Sequence, residues 1–280
     1  MRKSVAIGDP MHRTVWNNDG QFPRWSDRQM RPDHHHQARI RSVAITLAVA
    51  VILATASTTL AAGKPGYPDT VTWGGTTWQV KTSRSAVGPG PNIFDKANVN
   101  VDAAGRLHLR IARNAAGAWT AAEIIGPTTH GHGTYAFRLA SPVDDLDPNV
   151  VLGMFTWSDR ARFANREIDI EFARWGSASD PTNAQYVVQP HGVPNHLARF
   201  SQPADVTSTH QFTWRPGRID WLSRGAAGNT IASYTYAASD VPPTGDERVR
   251  FNLWLFNGAA PTDAQPVEIV IESFTFTPLS

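Results

Sequence analysis

The stretch Arg166-Glu167-Ile168-Asp169-Ile170-Glu171-Phe172 alternates charged and apolar side chains without a break. Successive side chains on an extended strand point to opposite faces. Ile168, Ile170 and Phe172 therefore share a face suited to a core, and Glu167, Asp169 and Glu171 share the other. Three carboxylates in a row repel one another, which pushes at least one pKa upward. A solvated strand would intersperse cations on such a face, and here there are none.

Outward from this stretch the chain keeps the same period. Short alternating runs broken by Gly, Pro, Asn and Asp occupy 107–111, 134–139, 150–157, 167–172 and 185–189. Others follow at 211–214, 219–222, 249–256 and 267–276. Pro216-Gly217 reads as a tight hairpin connection, and Gly88-Pro89-Gly90-Pro91-Asn92 as a loop. From Tyr67 onward no run sustains the 3, 4, 7 spacing of an amphipathic helix, and no repeat period or linker divides the body. Many short strands over one stretch of this length predict an all-β antiparallel sandwich or barrel, one domain over 63–280.

Composition narrows the function. The 280 residues are 41% hydrophobic and 18% charged, with 10 Trp, 5 Tyr and 12 Phe, which fits a globular chain rich in rings that pack or bind. Cysteine is absent, which removes disulfides, thiolate metal sites and thiol nucleophiles. Residues 1–62 hold eight Lys/Arg and four Asp, leaving 18 basic and 20 acidic residues in 63–280. A faintly acidic body without basic clusters has no footprint for a phosphate backbone, so no nucleic-acid partner is expected.

The basic excess belongs to a leader. Arg39 and Arg41 precede an apolar run from Val43 to Ala56 and a small-residue exit ending at Ala62, the three parts of a secretory signal peptide. The expectation is export with cleavage and no stable membrane insertion; an uncleaved leader serving as an anchor is the rival. Residues 1–29 are too long and unpatterned for an n-region, so a start at Met30 is expected. His34, His35 and His36 lie in this leader and read as solvated residues.

The carboxylate strand suggests glycoside cleavage, which recurrently uses paired acids. The plain alternative is an acidic stripe that guards an edge strand. Residues four apart on a strand lie ~13 Å apart at Cα. Glutamate side chains leaning together can close to the ~5–5.5 Å of retaining enzymes, and spacing alone leaves the wider inverting separation open.

Glu167-Ile168-Asp169-Ile170-Glu171 resembles the active-site strand of glycoside hydrolase family 16, which includes lichenases, laminarinases and xyloglucan-modifying enzymes. Gly133-Thr134-Tyr135-Ala136-Phe137-Arg138, Phe155-Thr156-Trp157, His210 to Trp221 and Asn252-Leu253-Trp254 resemble other segments of that family, in the same order. The resemblance implies a concanavalin-like β-jelly roll of two antiparallel sheets with a concave sugar cleft. It makes Glu167 the nucleophile, Glu171 the general acid/base and Asp169 the residue hydrogen-bonded between them. The strand lacks the extra residue that laminarinases usually carry, so it is similar to the bulge-free branch acting on β-1,4 or mixed β-1,3/1,4 chains.

Sugar-binding candidates follow. Asn252, Trp254 and Phe256 share a face, as do Phe155 and Trp157; Gln185 and Gln189 form a polar pair suited to hydroxyls. Glu123 matches a family position at which a carboxylate touches substrate. Core packing is the alternative for each aromatic, with binding favoured for Trp254. His210 and His191 read as structural. Asn165, Ile125 and Val187 stand where lichenases usually have Trp, Arg and Asn, and Phe172-Ala173-Arg174-Trp175-Gly176 replaces an early Gly.

The expectation is a secreted, monomeric retaining endo-glycosidase acting on a polysaccharide, a β-1,3/1,4-type glucan, without a required cofactor. Calcium on the convex side is common in the family, but no ligand cluster in the sequence assigns it. A transglycosylase and a non-catalytic carbohydrate-binding jelly roll are the alternatives.

Overall fold

The computed structural model describes residues 67–163, 165–204 and 207–280, and the leader expectations lie outside them. The strands are β1 (Asp69–Trp73), β2 (Thr76–Val80), β3 (Val99–Val101), β4 (Leu107–Arg113), β5 (Trp119–Thr120), β6 (Ala122–Ile125), β7 (Gly133–Leu139) and β8 (Val150–Trp157). They continue as β9 (Ile168–Phe172), β10 (Ala184–Val188), β11 (Leu197–Phe200), β12 (Ser208–Arg215), β13 (Arg218–Gly225), β14 (Thr230–Ala237), β15 (Arg248–Leu255) and β16 (Val267–Pro278). The described helices are three-residue 3₁₀ turns, so the all-β expectation holds. Among the described residues no helix is long and apolar enough to cross a membrane.

Two antiparallel sheets face each other. One runs β1-β2-β6-β15-β8-β9-β10-β11; the other runs β14-β13-β12-β7-β16-β4-β3, with β5 beside β4. The β12–β13 hairpin closes through Pro216-Gly217, and Gly217 takes the left-handed φ of 70° that a tight turn requires. This is the jelly-roll sandwich expected from the sequence.

One apolar cluster fills the space between the sheets. Leu152, Met154, Ile168, Ile170, Phe172, Phe251 and Leu253 come from the first sheet, and Leu109, Phe137, Phe212, Trp214 and Ile271 from the second. Burying each such side chain contributes ~1.5–3 kcal/mol, which is how a chain without disulfides holds two sheets together. His210 belongs to this core. Its ring nitrogens meet Ser208 Oγ and Ser223 Oγ, both at 2.7 Å, and burial drives its pKa down to about 3, so it is neutral.

One polar contact ties the core to the acidic strand. Trp221 on β13 donates its indole N–H across the core to the Asp169 carbonyl at 3.2 Å. Trp221→Phe removes this donor and part of a buried ring, so it should lower unfolding stability by about 1–3 kcal/mol. Urea titration measures the loss, and an unchanged midpoint would show the bond to be dispensable.

Candidate active site

Because Ile168, Ile170 and Phe172 turn into the core, the acids face the far side of the first sheet. The ladder register places their neighbours in rows. Across β6, β15, β8, β9, β10 and β11 one row reads Glu123, Asn252, Gly153, Glu171, Gln185, Arg199. The next reads Ile125, Arg250, Phe155, Asp169, Val187, Leu197. Trp254 pairs with Val151 and Arg248 with Trp157 on the same face.

Glu167 precedes the strand proper. The β8–β9 ladder ends at Phe155 and Asp169, and Thr156 Oγ1 takes over, accepting from Ile168 N at 3.1 Å and donating to Arg166 O at 3.2 Å. On the other side Gln189 N donates to Glu167 O at 3.0 Å. The backbone on both sides of Glu167 is therefore fixed.

The two glutamines do more than offer polar surface. Gln185 Nε2 donates to Glu171 Oε2 at 2.7 Å, and Gln189 Nε2 to Asp169 Oδ2 at 3.1 Å. Both polar side chains expected to meet hydroxyls thus hold acids. Gly153 separates Asn252 from Glu171 and leaves room that a side chain would fill, since a Cβ there would lie 2.7 Å from Asn252 Oδ1. That Oδ1 is buried with no partner among the described residues.

The aromatic candidates divide. Trp254 is only 3% exposed, packed with Phe94, Val151 and Ala173 in a second apolar cluster on this face. Its ring is covered by Trp175, whose centroid stands 6.1 Å away, and Trp175 also meets Phe256 edge-on at 5.4 Å. Phe155 is buried, while Trp157 and Phe256 stay partly exposed. Glu123 is 1% exposed and paired with Lys81 at 2.8 Å and Arg250 at 3.0 Å, away from the solvated position a sugar contact suggests.

Trp175, Arg199, Arg250 and Lys81 were not singled out as site residues in the sequence. Trp175 was visible only as a departure after Glu171. The two arginines lie in strands whose alternation gives their face and not their partners, and Lys81 directly follows β2.

No protein-family model matches the chain, and no curated protein does. Solved structures do match. A Bacillus licheniformis β-glucanase superposes with TM-score 0.57 at 21% identity, covering 72% of this chain and 92% of that one. A prokaryotic β-1,3-1,4-glucanase (lichenase) from a mouse hindgut metagenome gives 0.55 at 22%, covering 72% and 93%. The fold is that of the β-glucanases. A Mycobacterium tuberculosis protein described as an immunostimulatory antigen and pseudo β-1,3-glucanase gives 0.52 at 19%, covering 70% and 88%. The β-glucanase fold thus includes a protein named a pseudo-enzyme, and chemistry has to be argued from side chains.

On this β-glucanase scaffold all three acids titrate high. Burial raises Glu167 above the usual carboxylate range, helped by repulsion from Glu171 and opposed by Asp169 and Arg250. Burial raises Glu171 as well, opposed by the Gln185 hydrogen bond and the Arg199 charge. Asp169 is raised well above the carboxylate range by burial and by both neighbours. Its Oδ1 has no donor among the described residues, which a buried carboxylate would need. Asp169 therefore keeps its proton, and its neutral form spares Glu167 a second negative neighbour.

These shifts set a sign for stability. Carboxyls raised in the folded state bind protons more tightly there than in the unfolded chain, whose values lie near 4.5. Their contribution is complete below that value and is lost as pH rises through the folded-state values. Glu171→Gln should therefore raise Tm at pH 8 relative to wild type, by at least the ~2 °C that 1 kcal/mol gives in a domain of this size, and do so less at pH 4. Calorimetry at both pH values checks the difference; equal shifts at the two would refute it.

Among the described residues no group of three His, Asp or Glu side chains is arranged to hold a metal ion, so no calcium ligands are assigned.

Proposed function

We propose that the chain is a retaining endo-glycosidase that hydrolyses a β-linked glucan on the acid-bearing face of its first sheet. The observation carrying this reading is the acid trio on one face, with Gln189 donating to Asp169 and Gln185 to Glu171. A binding module gains little from three crowded carboxyls, because burial and repulsion make each of them costly to ionise.

In this reading Glu167 attacks the anomeric carbon as Glu171 gives its proton to the leaving oxygen. The glycosyl–Glu167 ester removes one negative charge beside Glu171, which then loses its proton more readily and activates the incoming water. Arg250 and the Asp169 proton favour charge on Glu167 as it becomes the nucleophile. Asn252 Oδ1, buried and unpartnered, offers an acceptor for a sugar hydroxyl beside Glu171. The partly exposed rings of Trp157, Trp175 and Phe256 offer faces for the sugar C–H surface.

Residues 63–280 incubated with lichenan, laminarin, barley β-glucan and xyloglucan test the assignment, with the first anomer followed by NMR. The β-anomer appearing first on one of these glucans supports it, whereas the α-anomer shows inversion. Elongated products show transfer to sugar acceptors. Saturable binding without turnover on any chain overturns it.

A further inference from the structure

Within this reading one set of contacts extends beyond the acids. Gln185 Oε1 lies between two groups that only donate: Trp175 Nε1 at 3.1 Å and Arg199 Nη1 at 3.0 Å. Neither has an acceptor, so the atom they share is the amide oxygen, and the NH₂ is forced toward Glu171 Oε2 at 2.7 Å. We propose that Trp175 and Arg199 are positioning residues that lock the Gln185 amide in the orientation that steers Glu171 and its proton.

Both positions are built for this. Arg199 is held by Asp180 at 2.6 Å, Thr182 Oγ1 at 2.8 Å and the Thr182 carbonyl at 2.7 Å, so its remaining N–H is aimed and not free to wander. Trp175 has φ of 52°, a region that bulky residues rarely occupy, and Gly176 follows at 81°. Strain of this kind persists where surroundings over-determine it. Here it turns the chain so that the indole reaches back from the end of β9 to Gln185, while its edge seals against Trp254 and Phe256.

The groups facing Glu171 are few. Asp169 lies on its own strand and Glu167 just before it, Gln185 and Arg199 come from β10 and β11, and across β8 only Gly153 stands before Asn252. Asp180 is spent on Arg199. Arg199 also acts on Glu171 through its charge, so its removal takes away a cation and an amide lock together.

The test is kcat/KM against pH on the glucan that wild type cleaves, for wild type, Arg199→Met, Trp175→Phe and Glu171→Gln. The acid must be protonated, so the alkaline limb reports Glu171. Losing the donor and the cation raises its pKa, and the limb should move to higher pH in Arg199→Met and less far in Trp175→Phe. kcat should fall roughly 10- to 100-fold, as misplacement of a catalytic group does, with KM within about two-fold. Trp175→Phe keeps an aromatic ring at the position while removing the N–H, and carries the test should Arg199→Met not fold. Limbs coincident with wild type in both variants overturn the positioning role while an inactive Glu171→Gln leaves the glycosidase reading standing. A fully active Glu171→Gln removes both.

Discussion

Glu171→Gln is expected to slow cleavage of an unactivated β-glucan by about 10²- to 10⁴-fold, the usual worth of a positioned general acid/base. The amide occupies the same volume and keeps the Gln185 contact possible, so the fold should survive. What disappears is the proton for the leaving oxygen, and later the base for water. The two losses are separable. An aryl glycoside whose leaving group needs no proton should still form the glycosyl-enzyme at close to the normal rate, and the reaction should then stall at hydrolysis. Added azide, a nucleophile that needs no base, should restore turnover and give a β-glycosyl azide. Glu167→Gln should fail on both substrates, because no side chain is left to attack. Equal rates in wild type and both variants would eliminate the two roles, and rescue of Glu167→Gln with retained configuration would exchange them.

The legible part of this molecule was the part whose side chains alternate in and out of one core. The runs at 134–139, 150–157 and 167–172 sit within a residue or so of β7, β8 and β9, because Phe137, Met154 and Ile170 must all reach the same apolar layer. The strands that escaped notice are mostly those where that pressure is weak. Thr76–Val80 and Thr230–Ala237 lie at or near sheet edges and present several exposed residues, and Leu197–Phe200 closes the first sheet with no residue fully buried. Ala122–Ile125 escaped for the opposite reason: it is buried on both faces, and Glu123 is buried there only because cations meet it.

The site shows the same boundary. Parity alone puts Glu167, Asp169 and Glu171 together and sends Gln185 and Gln189 to their face. Parity says nothing of partners. That Gln185 serves Glu171, or that Trp175 folds back at positive φ to reach it, depends on strands fourteen or more residues away and on one backbone angle. Trp254 illustrates the cost of reading parity alone: it lies on the acid face as expected, yet Trp175 covers it.

Removing Glu123 should have the largest effect on stability. The carboxylate sits between Lys81 at 2.8 Å and Arg250 at 3.0 Å, and Arg250 reaches on to Asp159 at 2.8 Å. Lys81 is nearly as enclosed, with its ammonium 4.1 Å from the Phe94 ring centroid and donating to the Gly88 carbonyl at 2.7 Å. Burial already pulls the Lys81 pKa down, and the Glu123 charge opposes that pull. Glu123→Ala leaves a desolvated ammonium with a single carbonyl acceptor, and breaking a buried pair in this way costs about 3–5 kcal/mol. In a domain of this size that is a fall in Tm of roughly 6–20 °C. The stranded lysine can escape by losing its proton, so the penalty should shrink as pH rises toward 10. Glu123→Leu combined with Lys81→Met removes both charges, leaves Arg250 its Asp159 partner, and should be far milder than either single change. A double-mutant cycle by urea unfolding gives the coupling directly. The family resemblance implies another role for Glu123, contact with the sugar, and it predicts a different pattern: KM would rise in Glu123→Gln while the unfolding midpoint stayed in place. The buried pairing predicts the reverse, a large loss of stability with KM moving little in whatever fraction remains folded, because a carboxylate only 1% exposed and bound by two cations has no solvent-facing oxygen to offer a hydroxyl.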